Sequence, residues 1–192
     1  MELNKEYWSD RYKNQDIGWD YGSITFPLKA YFDQLTDKSI TILIPGAGNG
    51  HEAEYLYRKG FSNIVICDIS EYPLQQFQAR VPNFPNRQLI RENFFNLKGN
   101  YDLIVEQTFF CALNPSLRKS YAIKCAELLK TGGKLVGLLF NCEFADSPPF
   151  GGSKEEYLPY FENLFEIKYF DECYNSIPKR TGRELFIKLV KK

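Results

Sequence analysis

The chain has little of what many functional classes require. One of its 192 residues is histidine, so a histidine-based metal centre or a Ser–His–Asp triad would rest on His51 alone. The five cysteines (Cys67, Cys111, Cys125, Cys142, Cys173) are odd in number, widely spaced and lack a C-x-x-C pair. They read as reduced thiols of a cytoplasmic protein, not a disulfide framework or a zinc site, and no metal is expected. Neither sign of charge is in excess, with 24 Lys+Arg against 24 Asp+Glu. That balance excludes a broad basic face for nucleic acid and a polybasic membrane anchor. No apolar run approaches the ~20 residues of a membrane span. The longest, such as Leu135 to Phe140, have strand length, and the opening MELNKEYWSDRYK lacks the apolar core of a secretory signal. Internal repeats and low-complexity linkers are missing as well.

What is present is ordinary in bulk and rich in rings. Hydrophobic residues make up 44% and charged residues 25%, near globular averages, so disorder is not expected. Aromatics at 16% invite the question of what the rings contact. The length fits a single domain over residues 1–192 that needs no staples. Within it, residues 1–35 read as two helices. The first carries Tyr7, Trp8 and Tyr12. Gly18 and Gly22 then bracket a Trp19-Asp20-Tyr21 loop, and Thr25 caps the second helix, with Pro27 in its first turn. From residue 40 to 192 short β-branched runs alternate with helical stretches: Ile40–Ile44, Asn63–Cys67, Arg87–Arg91, Tyr101–Val105 and Lys134–Phe140 as strands, His51–Lys59, Ser70–Arg80 and Ser116–Lys130 as helices. Glu155–Asn163 follows as a helix, then Phe165–Phe170 and Arg183–Val190 as a final antiparallel pair. The alternation predicts an α/β doubly wound sheet covered on both faces. On the Ser116–Lys130 helix, Arg118, Lys119 and Lys124 read as a solvated face.

The strongest constellation is Ile42-Leu43-Ile44-Pro45-Gly46-Ala47-Gly48-Asn49-Gly50, followed by a helix. Alternating glycines let the backbone approach a ligand closely. The site between a first strand and its helix is where open α/β sheets bind nucleotide-like molecules. The next strand ends at Asp68, about twenty residues on, the usual distance to a ribose-binding acid. A dinucleotide loop has glycine at the third position of G-x-G-x-x-G. Here that position is His51, which disfavours a nicotinamide enzyme. The G-x-G-x-G pattern resembles the loop of S-adenosylmethionine-dependent methyltransferases.

The order of blocks resembles the thiopurine S-methyltransferase family with its halide/thiol branch, over nearly the whole chain. Trp8 through Trp19-Asp20 resembles the family's tryptophan-rich lid, and Ile44-Pro45-Gly46-Ala47-Gly48 its glycine loop. Cys67-Asp68-Ile69-Ser70 resembles its acidic ribose-binding turn. Tyr101-Asp102-Leu103-Ile104 and Thr108 to Leu113 resemble its fourth strand and following loop, and Leu128 to Gly133 its turn before strand five. The resemblance implies a Rossmann-like seven-stranded sheet with its last strands antiparallel, an N-terminal helical lid, and S-adenosyl-L-methionine as cofactor. It places cofactor contacts on Trp8, Tyr12, Trp19, Gly46, Gly48, Asp68, Ile69, Asn93, Phe94 and Gln107. Three of these depart from the family. Tyr12 stands where many members have tryptophan, Asn93 replaces a common aspartate, and Gln107 falls where animal thiopurine enzymes have arginine.

Transfer from a sulfonium is a direct displacement that asks mainly for orientation and exclusion of water. A cationic cofactor suits the rings of Trp8, Tyr12 and Trp19. A neutral amine or alcohol needs a base near neutral pH, and none is evident: His51 reads as a helix N-terminal residue, so no catalytic residue is assigned. A soft anion needs no such base. Phe26, Phe109, Phe110 and Phe150 are expected as apolar walls of the acceptor pocket. The expected activity is methyl transfer to a small thiol, sulfide or halide. The alternatives are a small-metabolite O- or N-methyltransferase and a non-catalytic cofactor-binding protein. The expected partner is a small-molecule substrate, with no nucleic acid and no membrane, and a monomer is expected.

Overall fold

A computed structural model describes residues 3–192; the first two residues of the expected 1–35 lid lie outside it. The elements run α1 (Lys5–Lys13), α2 (Phe26–Asp33), β1 (Ile42–Pro45), α3 (His51–Arg58), β2 (Ile64–Asp68), α4 (Glu71–Arg80), β3 (Leu89–Arg91), β4 (Tyr101–Gln107), α5 (Arg118–Leu128), β5 (Leu129–Phe140), α6 (Lys154–Phe161), β6 (Phe165–Glu172) and β7 (Glu184–Lys191). The strands form one seven-stranded sheet in the order β3-β2-β1-β4-β5-β7-β6. The first five are parallel. β7 pairs antiparallel with β5 on one side and with β6 on the other. The expected terminal pair is therefore present, with β7 inserted beside β5 and β6 left at the edge.

Side-chain alternation along the strands divides the core into two layers. Leu43, Cys67, Ile104, Leu135 and Leu139 face one side, under α5 and α6, with Tyr121, Tyr157 and Phe161. Ile42, Ile44, Ile64, Ile66 and Val105 face the other, under α2, α3 and α4, with Phe32, Leu56 and Phe77. All four residues of β1 are buried, as a central parallel strand covered on both faces requires. Each fully buried Leu or Phe contributes roughly 1.5–3 kcal/mol, so two such layers hold the strand ends rigid.

The structure corrects one element boundary and one surface assignment. The helix expected to reach Lys130 stops at Leu128, and the ladder begins at Leu129, opposite Tyr101. A register shift then passes Gly132, whose φ is +77°. The last helical turn thus gives way to a bulge, with Gly132 in the left-handed conformation that glycine adopts without cost. Arg118 is the larger correction, because it is no part of a solvated face. It is 1% exposed, donates to Glu156 and to the Gly151 carbonyl (2.7 Å), and lies against the Phe110 and Tyr157 rings at 5.2 and 5.0 Å.

Candidate active site

The order β2-β1-β4 makes β1 the point where the winding of the sheet reverses. Connections leave β1 and β4 toward opposite sides, so a crevice opens beyond their carboxyl ends. A cavity of about 620 Å³ occupies this position. Its floor is the loop after β1. Gly46 has φ +56°, and a Cβ there would strike the Phe109 ring. Gly48 has φ +51°, and a Cβ would meet the Tyr12 hydroxyl. Both positions therefore require glycine. Asp68, at the end of β2, pins this floor: one carboxyl oxygen accepts from the Gly48 amide (3.0 Å), the other from the Ser70 amide (2.8 Å). Burial raises its pKa from 3.8 to about 6, against the pull of those two amides.

The same end of the cavity is lined by Ile69, Glu92, Asn93, Phe94 and Phe95. Asn93 stands where an acid was expected, and Glu92 beside it lines the cavity instead. The Glu92 carboxyl accepts from the Asn93 amide (2.7 Å) and from Asn96 (3.0 Å), and these contacts lower its pKa. Across from it, Phe109 stands on the turn after β4. Thr108 takes φ +59° there, a conformation that costs a non-glycine residue on the order of 1–2 kcal/mol and is held by surrounding contacts. Glu106 supplies them. Fully buried, it accepts from the Phe109 and Phe110 amides (2.8 and 2.9 Å) and from the Tyr121 hydroxyl. Burial raises its pKa to about 7 despite these donors.

The N-terminal segment closes the other end. Trp8, Tyr12 and Trp19 all line the cavity and pack edge-to-face on one another, with centroids 5.7 Å apart for Trp8–Trp19 and 5.9 Å for Tyr12–Trp19. Arg11 lies 5.0 Å from the Trp19 ring centroid. Polar ties from distant elements fasten this lid. Thr25, which makes no side-chain cap to α2, donates to Gln107 (3.2 Å). The Ser9 and Ser70 hydroxyls meet at 2.8 Å. Arg180, from the β6–β7 connection, donates to the Trp19 carbonyl. Asp20 accepts from Asn49 and bonds His51 Nε2 at 2.9 Å. Burial works against charge on both members of that last pair. The mutual contact outweighs it, with Gly22 and Asn49 also donating to Asp20, so Asp20 falls to about 2 and His51 is raised. His51 is thus more than a helix-terminal residue; it clamps the lid to the glycine loop.

Ten of the expected cofactor residues and one expected wall residue line this cavity: Trp8, Tyr12, Trp19, Gly46, Gly48, Asp68, Ile69, Asn93, Phe94, Gln107 and Phe109. Three expected walls lie elsewhere. Phe110 is buried in the core against Tyr121 and Tyr157; the turn that aims Phe109 at the cavity sends its neighbour the other way. Phe26 is 48% exposed and lies outside the lining, packed on Tyr21, which itself lines the cavity. Phe150 is half-buried, tied by its amide to the Cys111 carbonyl (2.7 Å). The wall is completed by Cys111, Leu113, Leu117, Pro148 and Pro149. The Cys111 thiol donates to the Thr108 carbonyl (3.2 Å), and burial pushes its pKa up, so it is an inert wall. Four charged lining residues were absent from the expected site: Glu52, Glu92, Arg180 and Asp20. Only Asp20 carried a local signal, its place between two glycines beside Trp19.

These residues fit S-adenosylmethionine. Each Asp68 oxygen accepts one backbone bond and keeps a lone pair for a ribose hydroxyl. The loop has left-handed glycines where a ligand approaches, and it carries no phosphate-binding pattern. Fold and site together define a class I S-adenosylmethionine-dependent methyltransferase. The chain matches the family model of thiopurine S-methyltransferase over residues 3–186 and belongs to that family. Among its relatives, a probable thiol methyltransferase 2 of Arabidopsis thaliana is 28% identical over 78% of this chain and 69% of its own length. Thiocyanate methyltransferase 1 of the same plant is 27% identical over 92% of this chain and 81% of its own. In fold the chain is similar to the Burkholderia thailandensis 1,6-didemethyltoxoflavin-N1-methyltransferase with bound S-adenosylhomocysteine, with a TM-score of 0.78 at 16% identity over 97% of this chain and 86% of that one.

Proposed function

We propose that this methyltransferase acts on a small soft nucleophile, a thiol, sulfide or halide. The observation that carries this reading is the make-up of the cavity away from Asp68. Its walls are Phe109, Cys111, Leu113, Leu117 and two prolines, and one guanidinium, Arg180, enters it while 8% exposed. Apolar walls strip water from a small anion, and Arg180, held by Glu184 and the Trp19 carbonyl, presents a fixed guanidinium beside them. The Arabidopsis relatives named for thiol and thiocyanate fit the same acceptor chemistry.

When bound, S-adenosylmethionine supplies an electrophilic methyl group on a sulfonium. In the proposed arrangement Asp68 holds the ribose, and Ile69, Asn93 and Phe94 flank the adenine. Gly46 and Gly48 leave room for the backbone to meet the cofactor, with Gln107 near its methionine end. Trp8, Tyr12 and Trp19 exclude water from above and offer ring edges and faces to a cation. The lid ties fix these rings, so the site is oriented before the acceptor arrives. Among the described residues no helix is long and apolar enough to cross a membrane. Five unpaired cysteines and a balance of 24 Lys+Arg against 24 Asp+Glu support our proposal of a cytoplasmic monomer with no nucleic-acid partner.

Methyl-labelled S-adenosylmethionine offered with iodide, bisulfide and an aromatic thiol in sealed vials tests the reading. Label is expected in the volatile product of iodide or bisulfide, or in the aryl thioether. Absence of label from all three, with cofactor binding confirmed by calorimetry, would overturn it in favour of an O- or N-acceptor or a non-catalytic binder.

A further inference from the structure

Glu52 is the one acid of the cavity to which no other described residue donates a hydrogen bond. It stands in the first turn of α3, is 6% exposed, and lines the cavity together with Arg180. Its carboxyl takes a hydrogen bond only from its own backbone amide, and from no other described residue. Buried carboxyls normally find donors. Glu106 shows the rule in this same protein, with two amides and a hydroxyl. A carboxyl buried with free lone pairs in a ligand cavity is a proton acceptor awaiting a donor from the ligand.

The charged groups facing it come from three elements. His51 lies beside it on α3, Asp20 on the lid loop and Arg180 on the β6–β7 connection. Arg180 is itself held by Glu184 (3.1 Å) and the Trp19 carbonyl, so its guanidinium cannot collapse onto Glu52 without giving up those bonds. Burial raises the Glu52 pKa, and Asp20 adds to this, against the pull of its own amide, His51 and Arg180.

Building on the acceptor class proposed above, we propose that Glu52 takes the S–H proton of a neutral thiol bound beside Arg180. The S–H bond breaks with its electron pair left on sulfur and its proton on a Glu52 oxygen. The acceptor sulfur then forms its bond to the methyl carbon as the carbon–sulfonium bond breaks, that pair going to the departing sulfur. Once the thioether has left, Glu52 returns its proton to water. An iodide acceptor carries no proton and bypasses Glu52. The residue therefore extends the enzyme's range from ready-made anions to alkyl thiols that are un-ionised at neutral pH.

The test compares Glu52→Gln with wild type on iodide and on an alkyl thiol. For the thiol, kcat/KM at pH 7 is expected to fall at least a hundredfold and to recover as pH rises past the thiol's own pKa. For iodide it is expected to change less than threefold. Calorimetric affinity for S-adenosylhomocysteine is expected to stay within twofold. A readout free of turnover is the ultraviolet band of thiolate read together with the proton balance of binding. An alkyl thiol joining the wild-type S-adenosylhomocysteine complex at pH 7 should form its thiolate without releasing a proton to the buffer, and in Glu52→Gln any thiolate formed should be matched by a released proton. Equal loss on both acceptors with weakened S-adenosylhomocysteine binding would place Glu52 on the cofactor's amino group and overturn the proposal. So would unchanged thiol turnover in the variant. Iodide turnover in the wild type tests the acceptor class separately, because Glu52 has no part in it.

Discussion

Two buried acids within this small domain sit in opposite surroundings. Around Glu106, every lone pair that matters is taken: two amides and the Tyr121 hydroxyl bind it. Nearby, Arg118 bridges α5 to the 150–156 segment through Glu156 and the Gly151 carbonyl. Under the lid, Glu52 has no donor from another residue, while Arg180, His51 and Asp20 use their bonds to hold the lid. Saturated polar groups specify structure, because removing one leaves others buried and unpaired. An unsaturated group in a cavity is available to a ligand. Burial alone does not separate the two roles; the count of partners does.

The contrast can be broken first on its structural side, where Glu106 is saturated and Arg118 is bonded at both terminal nitrogens, with its Nε left without a partner among the described residues. Arg118→Ala should lose about 2–4 kcal/mol of unfolding free energy in urea, since it strands the Phe150 and Gly151 carbonyls and leaves Glu156 without its ion-pair partner. Glu106→Ala should cost about 2–3 kcal/mol and also weaken cofactor binding, because the Phe109 turn loses its anchor. Glu52→Gln, on the unsaturated side, should leave the urea midpoint unchanged or raise it; a loss as large as that of Glu106→Ala would erase the distinction.

The cofactor floor comes next in size. Asp68→Ala should weaken S-adenosylmethionine by about 1–3 kcal/mol in calorimetry, through lost ribose acceptors and a loosened Gly48. A pH series sharpens the comparison further. The folded pKa values of Asp68 and Glu106, about 6 and about 7, lie above their ordinary 3.8 and 4.5. The folded state therefore binds these protons more tightly, and their contribution to stability is present below pH 4 and lost as pH rises through 6 to 7. The ligand-free protein should resist urea better at pH 5 than at pH 7.5. Among the cofactor-affinity effects, the smallest is expected from His51→Ala. The Asp20 tie should contribute about 0.5–1.5 kcal/mol to cofactor affinity, read as a higher Kd, and the deficit should shrink above the raised pKa of His51, where the wild-type pair loses its charge.

Much of this site was legible because its signals are local. The strand–glycine loop–helix order, the interval to Asp68 and the tryptophans before residue 20 each depend on a few adjacent residues, and the structure brings them around one cavity. The cases that went astray depended on distant packing. Phe109 and Phe110 are identical neighbours, and only the Thr108 turn decides which ring faces the cavity. Arg118 carries the pattern of a surface helix until the 150–156 segment folds across it.

What the sequence determined by itself is the Rossmann-like order of elements, the glycine floor and the acid at the end of β2. Those follow from periodicity, backbone freedom at glycine and a spacing fixed by one βαβ unit. Only the tertiary structure decided the chemistry at the other end. Arg180 lies 128 residues beyond Glu52 in the chain, and a glutamate in the first turn of a helix ordinarily serves the helix dipole. Glu52 becomes a candidate base because the lid, α3 and the β6–β7 connection converge to bury it without a partner, and burial is a property of neighbours that no local pattern encodes.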